Sequence, residues 1–176
     1  MKNFITAIVL VLFSISVFSQ NALDKFNDQD DITAVVVNKK MFDLMSKVKV
    51  DASDKETQQY MNLIKKLDNL KVYTTTNNKA ALDMKSTADK YIKTAGLEEL
   101  MKVNEAGKNI RIVVKSGTGD AKIKELLMFI EGGNRDNETV LMSLTGNFNL
   151  NEIAVLTDKM KIPGGDELKK ATKDKR

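Results

Sequence analysis

The chain has 176 residues, a formal net charge of +4 and 42% hydrophobic residues, and it contains neither cysteine nor histidine. Without cysteine we expect no disulfide, no thiolate metal site and no lipid anchor on an N-terminal cysteine. Without histidine the usual base of serine–histidine catalysis and the usual imidazole ligand of zinc or copper(II) are missing, which leaves carboxylates and lysine as the catalytic options.

The first twenty residues predict a cleaved signal peptide. Lys2 precedes an apolar run over 4–18, and Val17 and Ser19 are small enough for the −3 and −1 positions of a peptidase site. The run is about 15 residues long, against roughly 20 needed to span a bilayer. The alternative is an uncleaved N-terminal anchor. We expect cleavage after Ser19 or Gln20 and export to the periplasm or the cell exterior.

The mature chain begins with a predicted amphipathic turn and an acidic loop over 21–31. Asp28, Asp30 and Asp31 offer oxygen ligands for calcium, but the spacing lacks the central glycine and distal glutamate of a calcium loop. A solvated loop is therefore favoured. Residues 31–38 are rich in β-branched side chains and predict a buried strand.

Two helices are predicted next. The segment 39–48 places four apolar residues on one helical face: Met41, Leu44, Met45 and Val48. In the second helix Ser53 is the predicted N-cap, with Glu56 completing a capping box. Its apolar stripe comprises Tyr60, Met61, Ile64 and Leu67.

A second strand is predicted over 69–76, followed by the longest helix, which ends at Gly96 in the left-handed position. The buried face of this helix is predicted to comprise Ala81, Met84, Ala88, Tyr91 and Ala95. A hairpin with its turn at 105–108 follows, and it places Ile110, Ile112 and Val114 on one side.

The last part of the chain predicts strands over 121–133 and 138–148 and a helix from Leu150. Asn149 is the predicted N-cap of this helix, and Glu152 stands three positions later. Because these side chains would occupy the free N–H groups, we expect the join to be architectural and not an anion site. Gly146 is expected to let the backbone pass close to a neighbouring element.

Together these elements predict one α+β domain over 21–162, with a largely antiparallel sheet and helices packed on one face. Residues 158–176 hold seven basic and four acidic residues, so the basic excess lies in a terminal segment and not on a folded face. We therefore expect no nucleic-acid binding. The tail, 163–176, is predicted to be frayed and solvated, with weak attraction to anionic lipid or polysaccharide as the alternative.

No residue is predicted to be catalytic, cofactor-binding or metal-binding. The eight methionines of the mature chain raise the question of copper(I), but core filling explains them: Met41, Met45, Met61, Met84 and Met160 on helical faces, Met128 and Met142 in strands.

Three stretches carry a resemblance to a known family: ITAVVVNKKMFDLMSKV, LDNLKVYTT and VLMSLTGNFNLNEIAVLTDKM. They resemble blocks of small exported bacterial proteins, mainly from Bacteroidetes, that form a domain-of-unknown-function family (family 4252). The likeness extends over about 23–160. Many members resemble lipoproteins with a cysteine at the cleavage site, which this chain lacks. The resemblance implies no catalytic or binding residue.

Three functions remain open. The first is a non-enzymatic exported module that binds a protein or a cell-envelope component. An edge strand of the β-rich second half would pair with a strand of the partner in such binding. The second is a small-ligand or lipid carrier with a pocket between sheet and helices. The third, an enzyme using aspartate, glutamate or lysine, is disfavoured because no catalytic constellation is visible. The partner and the oligomeric state do not follow from the sequence.

Overall fold

The structure is a computed structural model, and it describes residues 22–48, 54–105, 107–118, 122–132 and 138–153. The predicted signal peptide and the basic tail lie outside these ranges. The strands are β1 (Thr33–Asn38), β2 (Leu67–Thr75), β3 (Glu98–Glu105), β4 (Lys108–Ser116), β5 (Lys122–Glu131) and β6 (Thr139–Asn149). The helices are α1 (Lys39–Met45), α2 (Lys55–Ile64) and α3 (Asn78–Ala95), with a short 3-10 turn at Asp24–Phe26.

The six strands form one sheet in the order β1-β2-β6-β5-β4-β3, and every neighbouring pair is antiparallel. The predicted α+β class and the antiparallel sheet are confirmed. β6 is inserted between β2 and β5, so the first and last strands of the chain are two positions apart. In the described sheet β1 and β3 are the edges.

Helices cover both faces of the sheet, which differs from the predicted packing on one face. Phe42 of α1 and Leu63 and Ile64 of α2 pack on the face that we call the α1/α2 face. Met84 and Tyr91 of α3 pack on the opposite face, the α3 face. The cause lies in the central strands, since β5 buries a continuous apolar run over 126–130 and therefore needs cover on both sides.

The α1/α2 face is organised by two helix starts. Asn38 caps α1 by accepting from the Met41 N–H, and Asp54 caps α2 by accepting from the Thr57 N–H at 2.9 Å. Asp54 thus takes the role predicted for Ser53, which lies outside the described residues. α2 ends at Ile64, so the prediction that Leu67 lies on its apolar stripe is wrong, and Leu67 is the first residue of β2.

The α3 face is built on the helix that the sequence indicates most clearly. Asn77 caps its start, and Gly96 ends it with a φ of 65°, in the left-handed region predicted for this glycine. The buried face comprises Ala80, Met84, Ala88, Tyr91 and Ala95. Ala80 replaces the predicted Ala81, which is one position away and only half-buried.

The N-terminal segment completes the α3 face. Leu23 and Phe26 are buried, and the Phe26 ring meets the Tyr73 ring edge-on at a centroid distance of 5.5 Å. Lys71 forms an ion pair with Asp24 at 2.6 Å. The predicted amphipathic turn is therefore a structural part of the core, although it directly follows the predicted cleavage site.

Alkaline pH should destabilise the protein through Tyr73. Its hydroxyl donates to Asn27 Oδ1 at 2.8 Å, and burial and the Asp24 carboxylate raise the pKa of Tyr73 well above its usual 10. Above about pH 10 the unfolded chain loses this proton while the folded chain keeps it, so the free energy of unfolding falls by up to about 1.4 kcal/mol per pH unit. Urea unfolding between about pH 9 and about pH 11 measures this loss, and the Tyr73→Phe variant should show less of it. Equal losses in both proteins would contradict the assignment.

The C-terminal half follows the sequence-based prediction closely. β3 and β4 form the predicted hairpin, with Glu105 paired with Lys108 and Gly107 at a φ of 81°. Ile110, Ile112 and Val114 all lie on the α1/α2 face. Residues 150–153 begin the last helix, where Glu152 accepts from the Asn149 N–H at 2.9 Å. The rest of that helix lies outside the described residues.

Candidate functional site

β1 is an exposed edge strand, which corrects the prediction that it is buried. Val35 is 52% exposed and Val36 is 46% exposed, although runs of β-branched residues are typical of strands covered on both faces. Only Ala34 and Val37 pack against the two cores. One side of β1 pairs with β2, and the other side ends the described sheet.

α1 exposes further apolar side chains close to β1 in the chain. Phe42 is buried and Met45 packs against the core, so the helix turns its other apolar residues outward. Met41 is 50% exposed, Leu44 is 51% exposed, and Val48, just beyond the helix, is 58% exposed. The prediction that Met41 fills the core is wrong, whereas Met84, Met128 and Met142 are buried as predicted. We call Val35, Val36, Met41, Leu44 and Val48 the β1 surface.

The other edge strand is protected in the usual way. β3 exposes Glu98, Glu99 and Lys102, and its register shifts between Glu99 and Met101. Charges and bulges on an edge strand prevent it from pairing with another chain. β1 (TAVVVN) has neither a charged residue nor a register shift. The two edges of the described sheet therefore differ in their capacity to accept a further strand.

Lys39 links the start of α1 to the chain that leads into β2. Its ammonium group donates to the carbonyl oxygens of Lys65 and Leu67, both at 3.1 Å. These bonds tie the start of α1 to the start of β2, directly beside β1. The bonds of Lys39 and the burial of Phe42 together connect α1 to the sheet.

A buried polar cluster lies on the α3 face. Glu125 is 5% exposed, and its Oε1 accepts from the hydroxyls of Tyr91, at 2.8 Å, and Ser143, at 3.1 Å. This cluster was not predicted from the sequence. The available signal was a buried-strand pattern in which Glu125 alternates with Leu127 and Phe129, the residues that pack against α3.

The space beside this cluster is small. A crevice of about 40 Å³ is lined by Asn69, Lys71, Tyr91 and Ser143, among others. Among the described residues Asn69 Oδ1 is the one buried side-chain oxygen or nitrogen without a hydrogen-bond partner. Ligand pockets usually measure about 300–1,000 Å³, so this crevice suits a few water molecules rather than a metabolite.

Two open grooves on the surface carry charges of both signs. The first, about 620 Å³, lies between α2 and the last helix and contains the Lys66–Glu152 ion pair at 2.5 Å. The second, about 260 Å³, lies between α3 and the β4–β5 region and contains the Lys85–Glu131 pair at 2.6 Å. Neither groove has the uniform charge that would select an anionic or a cationic ligand.

The carboxylates of the acidic loop do not form a cluster among the described residues. Asp28, Asp30 and Asp31 are described, and across the described ranges no three carboxylates stand close enough to hold a metal ion. Nor does any helix in those ranges have the length and apolar character needed to cross a membrane.

Gly146 has the architectural role that the sequence predicts. A Cβ atom at this position would stand 2.4 Å from the Lys66 carbonyl oxygen, and the neighbouring Asn147 N–H donates to that oxygen at 2.9 Å. The glycine therefore permits β6 to pass directly over the turn that leads from α2 into β2. At the same join Glu152 occupies the Asn149 N–H, as expected for a filled cap.

These features define an α+β protein with a six-stranded antiparallel sheet, a filled core on each face and an apolar edge. The chain belongs to the family described as Domain of unknown function (DUF4252), whose sequence model matches residues 26–156. Comparison with curated proteins and comparison with solved structures gave no match.

Proposed function

We propose that this chain is an exported, non-enzymatic module that binds a protein of the cell envelope through the β1 surface. The observation that carries the proposal is the uncharged edge strand β1, with Val35 and Val36 about half exposed. Exposed edges of this kind are templates for a further strand, and soluble proteins normally block them.

The physical basis of binding is strand addition. A strand at the sheet edge offers backbone N–H and C=O groups that hydrogen-bond to an extended segment of a partner. Val35 and Val36 point to opposite faces, so a partner strand meets an apolar side chain on each side of the sheet. Met41 and Leu44 of α1 extend the contact on the α1/α2 face.

Export rests on the N-terminal sequence. The apolar run over 4–18 after Lys2 supports a signal peptide over 1–20, cleaved after Ser19 or Gln20. The proposed location is periplasmic or extracellular, where the partner would be an envelope protein.

The alternatives have less support. A ligand or lipid carrier needs a pocket between sheet and helices, and the crevice beside α3 offers about 40 Å³. An enzyme needs an accessible reactive group, whereas Glu125 is 5% exposed and is bound by two hydroxyls. The apolar surface at β1 favours protein binding over both.

Photo-crosslinking in intact cells tests the proposal. A photoreactive phenylalanine analogue in place of Val36 should crosslink to one protein that mass spectrometry identifies. The control carries the same analogue in place of Leu82, which is 67% exposed on α3, away from the β1 surface. Adding Val35→Lys should remove the crosslink at 36. Equal or absent crosslinking from both positions would refute the proposal.

A further inference from the structure

We infer that the strand added at β1 is β1 of a second copy of this chain, antiparallel to the first, so that two sheets join across a two-fold axis. The inference rests on the proposed function and names the partner. The six-stranded sheets of the two copies would then form one continuous sheet. The reason lies in the charges at the two ends of β1.

The ends of β1 carry opposite charges. Asp30 and Asp31 precede the strand and Lys40 follows it, and all three are exposed. In an antiparallel pair the acidic end of one copy lies beside the basic end of the other. A parallel pair would oppose like charges, which is destabilising. The strand is therefore self-complementary in one orientation only.

The two faces of the sheet restrict the register. Side chains that stand directly opposite each other in an antiparallel pair point to the same face. A two-fold axis perpendicular to the sheet keeps each face on its own side, so the axis must pass between two identical residues. With Val35 of each copy at the axis, the acidic turn before β1 of one copy lies beside the start of α1 of the second copy, which brings Asp30 close to Lys40.

This register also agrees with the side chains between the ends. Ala34 of one copy stands opposite Val36 of the other, and Thr33 stands opposite Val37. Small or β-branched residues thus meet small or β-branched residues on both faces, and such cross-strand pairs stabilise sheets. Met41 and Leu44, which are also about half exposed, follow in α1, which begins immediately after β1.

Sedimentation velocity of the purified, processed protein tests the inference. The protein should sediment as a species whose mass is about twice that of the monomer. Val35→Lys should place two ammonium groups at the axis and raise the dimer dissociation constant at least about tenfold. Leu82→Lys, an equally charged substitution on exposed α3, should leave the dimer unchanged. A monomeric wild-type protein, or a Val35→Lys dimer of unchanged affinity, would overturn the inference.

A charge exchange tests the register. Asp30→Lys alone brings a lysine close to Lys40 of the other copy, and Lys40→Glu alone brings a glutamate close to Asp30. Each variant places like charges together and should therefore dimerise more weakly than the wild type. An equal mixture restores both opposite-charge pairs and should form a mixed dimer. Failure of the mixture to recover would refute this register. A monomeric protein that still crosslinks from position 36 to a different protein would refute the second copy and leave the proposed function standing.

Discussion

Phe26→Ala should lower the free energy of unfolding by about 3–5 kcal/mol, the cost typical of removing a buried phenylalanine. The Phe26 side chain is fully buried, and its ring packs edge-on against Tyr73, which is also fully buried. Removing it leaves a cavity between the N-terminal segment and β2, which the rest of the sheet cannot fill because Tyr73 is fixed by its bond to Asn27. Urea unfolding followed by circular dichroism measures the loss.

Leu82→Ala provides the control for this experiment. It removes an apolar side chain of comparable size that is 67% exposed, so its effect should stay within about 0.5 kcal/mol. If Phe26→Ala proved as mild as Leu82→Ala, the N-terminal segment would not be part of the core. The result therefore decides whether the folded domain begins only a few residues after the predicted cleavage site.

Gly146→Ala should lower the free energy of unfolding by about 3 kcal/mol, almost as much as Phe26→Ala. The added Cβ would stand 2.4 Å from the Lys66 carbonyl oxygen and 3.0 Å from the Leu67 Cα. Both atoms belong to the backbone, so no side-chain rotation relieves the clash. β6 must then move away from β2, and the bond from the Asn147 N–H to the Lys66 oxygen is weakened.

Asn147→Ala serves as the matched control, because this neighbouring residue is exposed and already has a Cβ. Its cost should stay within about 0.5 kcal/mol. Thermal unfolding of the two variants compares them directly. A Gly146→Ala protein with wild-type stability would show that β6 does not cross the turn before β2 as closely as described.

The sequence predicted those elements whose signals are local. α3 has a regular apolar period, an Asn77 cap and a Gly96 end, and all three are encoded within one segment. The hairpin at Gly107 follows from its turn residues in the same way. The helix start at Leu150 follows from the spacing of Asn149 and Glu152.

What the sequence did not predict depends on the order of strands in space. A run of valines predicts a buried strand, yet β1 lies at the edge of the described sheet. The central place between β2 and β5 is taken by β6 and not by β1. Helices cover both faces because the apolar run of β5 has side chains on each side of the sheet. Exposure of β1, and with it the candidate site, therefore follows from long-range pairing that periodicity does not encode.

In α1, too, the sequence did not predict which side chains are buried. The apolar pattern of 39–48 identifies a helix but contains more apolar residues than one face can bury. Phe42 is buried, whereas Met41 and Leu44 are about half exposed. Which of them contact the core depends on the angle at which α1 leaves β1, and that angle follows from contacts with residues distant in sequence, such as the bonds of Lys39 to the Lys65 and Leu67 carbonyls.

The most direct test of β1 as the binding edge is the crosslink from position 36 in living cells. We predict one identified protein attached at this position, the same chain if the two-fold pairing is correct, and none attached at position 82. Labelling at position 36 that is no stronger than at position 82, or that persists undiminished after Val35→Lys, would contradict the account.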